Sequence, residues 1–207
     1  MKLILFGGAD GRAVEEIKLI GQVINRIKPK QVLHVPFART SSSQADWSGD
    51  WFNRNIILDE TIYLNAANEG DIAQADRPLI FISGGSEHIS LYNKITSTPR
   101  LLQLVTTAEY IIGESAGSMA LGEYQWSGKL DGPLKLMKGL GIIKNTIIVP
   151  HYTERNLQGK LKQGMKESGL KYGLGIDSMT AIEFELDEFP EKYNKIGDGS
   201  IFIETSG

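Results

Sequence analysis

The chain has 207 residues, a net charge of −3, 41% hydrophobic and 23% charged residues, and no cysteine. This balance excludes collagen-like, disordered and coiled-coil classes and lacks the basic excess that nucleic acid or an anionic membrane would select. Without cysteine there can be no disulfide, no zinc-thiolate site and no cysteine nucleophile. The length suits one domain over 1–207, burying about 70% of the surface its unfolded form exposes.

The N-terminal run of Leu and Ile ends at Gly7-Gly8. It is too short for a secretory signal and reads as a first strand over 2–6. Further apolar runs at 32–35, 61–64, 79–82, 110–112 and 146–149 do not alternate polar with apolar, as expected of strands buried on both faces. Between them fall helical patterns. Residues 13–27 place Val14, Ile17, Ile20, Val23, Ile24 and Ile27 at helical spacing; 89–105 carries a break at Pro99; and 157–167 is amphipathic. Strand alternating with helix implies βαβ units and a mostly parallel sheet. Residues 38–55, polar but with two Trp, read as a surface loop or a flap. Beyond residue 174, short strand candidates at 175–177, 181–186, 193–196 and 200–204 suggest a small antiparallel edge or hairpin. No apolar run approaches the ~20 residues of a membrane span. The expectation is a soluble cytoplasmic protein.

Chemistry concentrates at Gly113-Glu114-Ser115-Ala116-Gly117, between the strand at 110–112 and a helix-like stretch at 116–121. Small neighbours around a serine in a sharp strand-to-helix turn are the context of a nucleophile elbow. The helix N-terminus directs free N–H groups at the reacting oxygen, with the Ala116 amide one oxyanion donor. Only three histidines exist. His34 lies within a strand pattern and reads as a core histidine, whereas His88 follows a Gly-Gly turn and reads as a surface or capping residue. His151 follows Pro150 at the carboxyl end of a buried strand, where sites in open α/β sheets assemble. Ser115 also ends a strand, so both are expected on one edge of one sheet, with His151 as general base. Ser83-Gly84-Gly85-Ser86 suits a second oxyanion donor or a tight turn. For the carboxylate that orients the base, Asp177, Asp131 and Glu123 are all candidates.

Ile82-Ser83-Gly84-Gly85, Gly113-Glu114-Ser115-Ala116-Gly117 and Pro150-His151-Tyr152, in that order and separation, resemble peptidase family S51, the group of aspartyl dipeptidase (dipeptidase E) and cyanophycinase. The likeness covers roughly residues 1 to 185. It implies a class I glutamine-amidotransferase-like fold: an α/β, flavodoxin-like three-layer sandwich with a mostly parallel sheet, helices on both faces and a small C-terminal antiparallel extension. It also implies Ser115 as nucleophile, His151 as base, and Gly85 and Ala116 as oxyanion donors, with Asp177 the nearest residue to the family's acid position. Gly84, Asp131 and Arg155 become substrate contacts, Arg155 through pairing with a carboxylate.

Two departures stand out. Glu87 follows the Gly-Gly turn and would disfavour an acidic substrate if it points inward. Gly175-Ile176-Asp177-Ser178 places a serine where the family carries its triad Glu, moving the carboxylate one residue earlier. A one-residue shift on a strand reverses the side-chain direction. A Ser–His dyad, with a serine or water orienting the ring, is therefore the alternative to a triad through Asp177. The implied activity is hydrolysis of short peptides, N-terminal aspartyl dipeptides foremost, with no metal or organic cofactor. The partner is a small peptide, not nucleic acid or membrane, and the assembly a monomer or homodimer. Esterase or amidase activity and a non-catalytic binding role are the competing readings.

Overall fold

The structure, a computed structural model, describes residues 1–40, 47–127 and 135–206. Its main sheet begins with β1 (Lys2–Phe6), β2 (Gln31–Val35), β3 (Ile62–Asn65), β4 (Leu79–Ile82) and β5 (Tyr110–Glu114), all parallel. β10 (Thr180–Glu185) and β11 (Asn194–Gly197) extend it antiparallel beside β1. The seven strands run in the order β11-β10-β1-β5-β4-β2-β3. Strand alternation gives each face its own layer. Ile4, Phe6, Val32 and Phe81 meet Ile17, Ile20 and Ile24 of α1 (Ala13–Ile27) and Phe52 of α2 (Asp50–Asn55). Leu3, Leu5, Leu33 and Ile80 face a second core. That core takes in α3 (Glu69–Gln74), α4 (His88–Ser97), α5 (Pro99–Thr106) and α6 (Ala116–Ala120). Each fully buried Ile, Leu or Phe contributes about 1.5–3 kcal/mol relative to exposure.

The expected break at Pro99 is real: Pro99 opens α5, its fixed φ suiting the first helical turn. The short helix α2 occupies part of the expected 38–55 loop, with Phe52 buried and Trp47 edge-on to Phe37; residues 41–46 lie outside the described residues.

One expectation is corrected. The strand expected at 146–149 is the longer β8 (Ile143–Pro150), and it leaves the main sheet. Within that sheet β1 is flanked by β5 and β10. β8 instead pairs in parallel with β6 (Gly122–Trp126) and β9 (Tyr172–Ile176). With β7 (Leu136–Lys138) and β12 (Ile201–Thr205) they make a five-stranded second sheet, ordered β12-β9-β8-β6-β7. This sheet contributes Ile147, Ile148 and Leu174 to the second core, and Leu161 and Met165 of α7 (Gln158–Ser168) join the same core. The expected small antiparallel C-terminal edge is present: β10 and β11 pair antiparallel at the end of the main sheet. At the Gly197-Asp198-Gly199 turn the chain leaves that edge, and β12 joins the second sheet beside β9. Among the described residues, no helix is long and apolar enough to cross a membrane.

Candidate active site

Glu114 closes β5 and Ser115 turns the chain directly into α6. Ser115 has φ 50° and ψ −108°, a conformation disfavoured for any side chain-bearing residue. The turn is held from below. Phe6 O accepts from Ser115 N–H at 3.0 Å and from the Ser118 hydroxyl at 2.8 Å, and Ser115 O accepts from Met119 N–H. Gly117 is required here, because a Cβ would collide with Ile82 O. Ser115 Oγ stands 2.9 Å from His151 Nε2.

His151 comes from the other sheet. It follows β8, itself with φ 52°, and donates its N–H to Gly7 O at 3.0 Å. The segment Phe6-Gly7-Gly8 thus joins the sheets, holding the serine backbone through Phe6 and the histidine backbone through Gly7. Gly8 lies flat beneath the imidazole: a Cβ there would collide with His151 Cε1 and Nε2. Gly8→Ala is therefore expected to displace the ring. Displacements near 1 Å reduce rates about 100-fold. Measured hydrolysis at the wild-type rate in a folded Gly8→Ala protein would refute this account of the contact.

Burial, followed by the Arg155 charge, pushes the His151 pKa down to about 4, while Asp10 opposes the shift. The ring is neutral at pH 7, as an acceptor for the serine proton must be. Nδ1 lies 3.0 Å from Ser178 Oγ, and the tautomer in which Nε2 accepts from Ser115 carries its proton on Nδ1, facing that oxygen. Asp177, the expected orienting acid, is turned to other work. Its Oδ1 accepts from Thr153 N–H and the Thr153 hydroxyl, and its Oδ2 from Ser200 N–H. Both residues lie in the turn after β9, and one position decides which side chain meets the ring.

The serine opens on a cleft of about 740 Å³ lined by Gly84, Gly85, Ala116, Arg155 and others. Ala116 begins α6, where N–H groups have no intrahelical acceptor. The Gly84-Gly85 turn is fastened by Ser83 N–H to Val35 O and Glu87 N–H to Ala38 O. The Gly84 amide donates to Glu114 Oε2 at 2.8 Å, so it serves the turn. Arg155 Nη2 lies 3.6 Å from Asp10 Oδ1 at the rim, both half-exposed. Glu87 is exposed and does not line the cleft, which removes the objection it raised to an acidic substrate. Asp131 lies outside the described residues. Glu123, the remaining acid considered, holds the Asn145 amide. His34 is a core histidine, as expected, between Tyr63 Oη and Ser83 Oγ, and burial pushes its pKa down to about 3. His88 is not a surface residue: it is buried, lines the cleft, and donates from Nδ1 to Trp126 O.

Sequence reasoning missed Arg39 and Glu16. Arg39 pairs with Glu114 Oε2 at 3.1 Å, donates to Ser83 Oγ and stacks its guanidinium 5.4 Å from the Trp51 ring centre. A charged residue directly before the elbow serine was the signal that such a partner had to exist. Glu16, on the expected helix, gave no signal of its burial against the site. Among the described residues no group of His, Cys, Asp and Glu could hold a metal ion.

An elbow serine hydrogen-bonded to a neutral histidine, beside free amides in a cleft, is the constellation of a serine-type hydrolase. The family model for peptidase family S51 matches residues 3–191, and the chain belongs to that family. Cyanophycinase from Geminocystis herdmanii (strain PCC 6308) is 31% identical over 134 residues, 60% of this chain and 48% of that protein. Cyanophycinase from Synechococcus elongatus is 33% identical over 134 residues, 60% of this chain and 40% of that protein. The chain thus spans about half the length of these curated relatives or less. Two solved structures share the fold. A peptidase from an acI-B1 Actinobacterium gives a TM-score of 0.64 at 21% identity, covering 100% of this chain and 94% of that one. A putative peptidase E protein from Listeria monocytogenes EGD-e gives 0.55 at 15%, covering 100% and 98%.

Proposed function

We propose that the protein is a serine peptidase acting on short peptides, N-terminal aspartyl dipeptides foremost. The 2.9 Å contact between Ser115 Oγ and His151 Nε2, across a strained elbow, carries this reading. Ser115 Oγ attacks the scissile carbonyl carbon as its proton passes to Nε2. The Gly85 and Ala116 N–H groups receive the oxyanion. His151 returns the proton to the leaving amine as the C–N bond breaks, which leaves an acyl-enzyme. Water, deprotonated by His151, then attacks the ester and restores Ser115. Arg155 at the rim is placed to meet the carboxylate of an aspartyl residue by exchanging its loose pairing with Asp10.

The test is turnover of Asp-X dipeptides against matched Ala-X dipeptides and p-nitrophenyl esters. Cleavage of esters with no dipeptide turnover would replace the peptidase reading by an esterase. The cyanophycinase relatives favour a second reading, cyanophycin as the substrate, and the same assay with cyanophycin separates the two.

The base also sets a pH profile. A histidine lowered to about 4 must be unprotonated to act, so kcat/KM should rise through about pH 4 and stay level toward neutrality. An acidic limb at the ordinary histidine position, near 6.5, would contradict the buried neutral base.

A further inference from the structure

Asp177 and Glu154, the carboxylates of the turns after β9 and β8, are both committed to bonds other than to the His151 ring. Asp177 binds Thr153 N–H at 3.0 Å, the Thr153 hydroxyl at 2.8 Å and Ser200 N–H at 3.0 Å. Glu154 Oε1 accepts from Ser178 N–H at 2.9 Å. Together they fasten the turn after β8 to the turn after β9, and Met179 N–H donates to Gly8 O at 2.8 Å to close the third side. Between these braces the Ser178 hydroxyl is held 3.0 Å from His151 Nδ1, with Ser178 4% and His151 6% exposed. No rotation of the ring is needed to make the contact, and no solvent reaches it freely.

Resting on the reading of Ser115 and His151 as nucleophile and base, we propose that Ser178 is the positioning residue of the base, its hydroxyl standing where a serine peptidase ordinarily carries a carboxylate. Accepting Nδ1–H locks the tautomer that leaves Nε2 free for the Ser115 proton, which is the orienting half of a triad acid's work. The other half, stabilising the imidazolium, needs negative charge, and a hydroxyl has none. The charged groups around the ring do not supply it cleanly. Arg155 opposes the imidazolium and Asp10 favours it, Glu154 and Asp177 are held on backbone amides, and Glu16 lies behind Gly8. The arrangement is thus a well-oriented, weak base that stays unprotonated in mild acid.

The test needs no natural substrate. Second-order rates of labelling by a fluorophosphonate are measured from pH 4 to 9 for wild type, Ser178→Ala, Ser178→Thr and Ser178→Asp, with melting temperatures alongside. Ser178→Ala should label about 10- to 100-fold more slowly at every pH without loss of fold, and Ser178→Thr should recover most of that rate. Ser178→Asp should move the acidic limb upward by about one pH unit or more, a change that mere packing would not produce. The ring nitrogen NMR shifts of His151 give a reading independent of reactivity. Wild type should show the Nδ1–H tautomer, and Ser178→Ala a mixture. Wild-type labelling and profile in a folded Ser178→Ala protein, or an Nε2–H tautomer in wild type, overturns the proposal. If wild type does not label at all, the nucleophile reading fails, and the tautomer of wild type against Ser178→Ala decides the role of Ser178 alone.

Discussion

Replacing Ser115 with alanine should abolish fluorophosphonate labelling and lower peptide turnover by about 10⁶-fold, the scale reported when a serine peptidase loses its nucleophile. The substitution removes one oxygen and leaves the rest of the site standing. Ser115 already occupies φ 50°, so alanine inherits the same backbone strain rather than adding to it. The Ser115 amide on Phe6 O and the Met119 amide on Ser115 O are backbone bonds and survive. Fold and substrate binding should persist, with the loss in kcat and little change in KM. His151→Ala should lose a similar factor, and the double variant little more, because nucleophile and base act as one unit. Labelling that survives Ser115→Ala would place the reactive group elsewhere. Additive losses in the double variant would mean that the 2.9 Å contact is not a catalytic one.

Replacing Glu16 with glutamine should stabilise the protein above neutrality, by roughly 5 kcal/mol at pH 8. Glu16 is 2% exposed on the inner face of α1, and its Oε1 finds no hydrogen-bond partner among the described residues. Burial first, and then the neighbouring Glu114 charge, push its pKa from 4.5 up to about 9, against the Gly8 amide and Arg39. The sign follows from linkage. A raised folded pKa gives a contribution fully present below pH 4.5 that is lost progressively as pH rises to about 9, because only the unfolded chain sheds the proton readily. Glutamine keeps the shape of the neutral acid and has no proton to lose.

Denaturant midpoints at pH 4.5, 6 and 8 should therefore diverge between the two proteins with rising pH and nearly coincide at the lowest. The depressed histidines act in the opposite sense, destabilising the fold as pH falls below 6.5. They are common to both proteins, so the difference isolates Glu16. A constant difference across pH would show that the carboxyl is ionised in the folded protein.

The contacts also explain why an ionisable group is tolerated there. Glu16 accepts from the Gly8 amide, beneath the His151 ring, and lies within electrostatic reach of Glu114 before the serine. Its neutral carboxyl supports the Gly8 platform beneath the His151 ring, and a charge at that point would repel Glu114. Glutamine should preserve this support, so activity at pH 7 is expected to change far less than stability.

Much of the molecule was legible along the chain because it depends on local pattern. Unbroken apolar runs marked β1, β2, β4 and β5 as strands buried on both faces, helical spacing marked α1, and Pro99 marked the start of α5. The elbow could be read from its glycines, whose close backbone approaches admit no side chain, and His151 from its place after a buried strand. With only three histidines, the choice was narrow. What the chain could not reveal depends on which strands become neighbours. β8 pairs with β6 and β9 rather than with any strand of the main sheet, so the serine and the histidine meet across two sheets, through Phe6-Gly7-Gly8. Glu16, a charged residue in an amphipathic helix, looks exposed until that helix is packed behind the site. Residue identity and spacing singled out Ser115, His151 and the turns that carry them. Only the packed structure decided that Ser178 rather than Asp177 touches the His151 ring, because in the turn after β9 the Thr153 and Ser200 amides and the Thr153 hydroxyl claim the carboxylate.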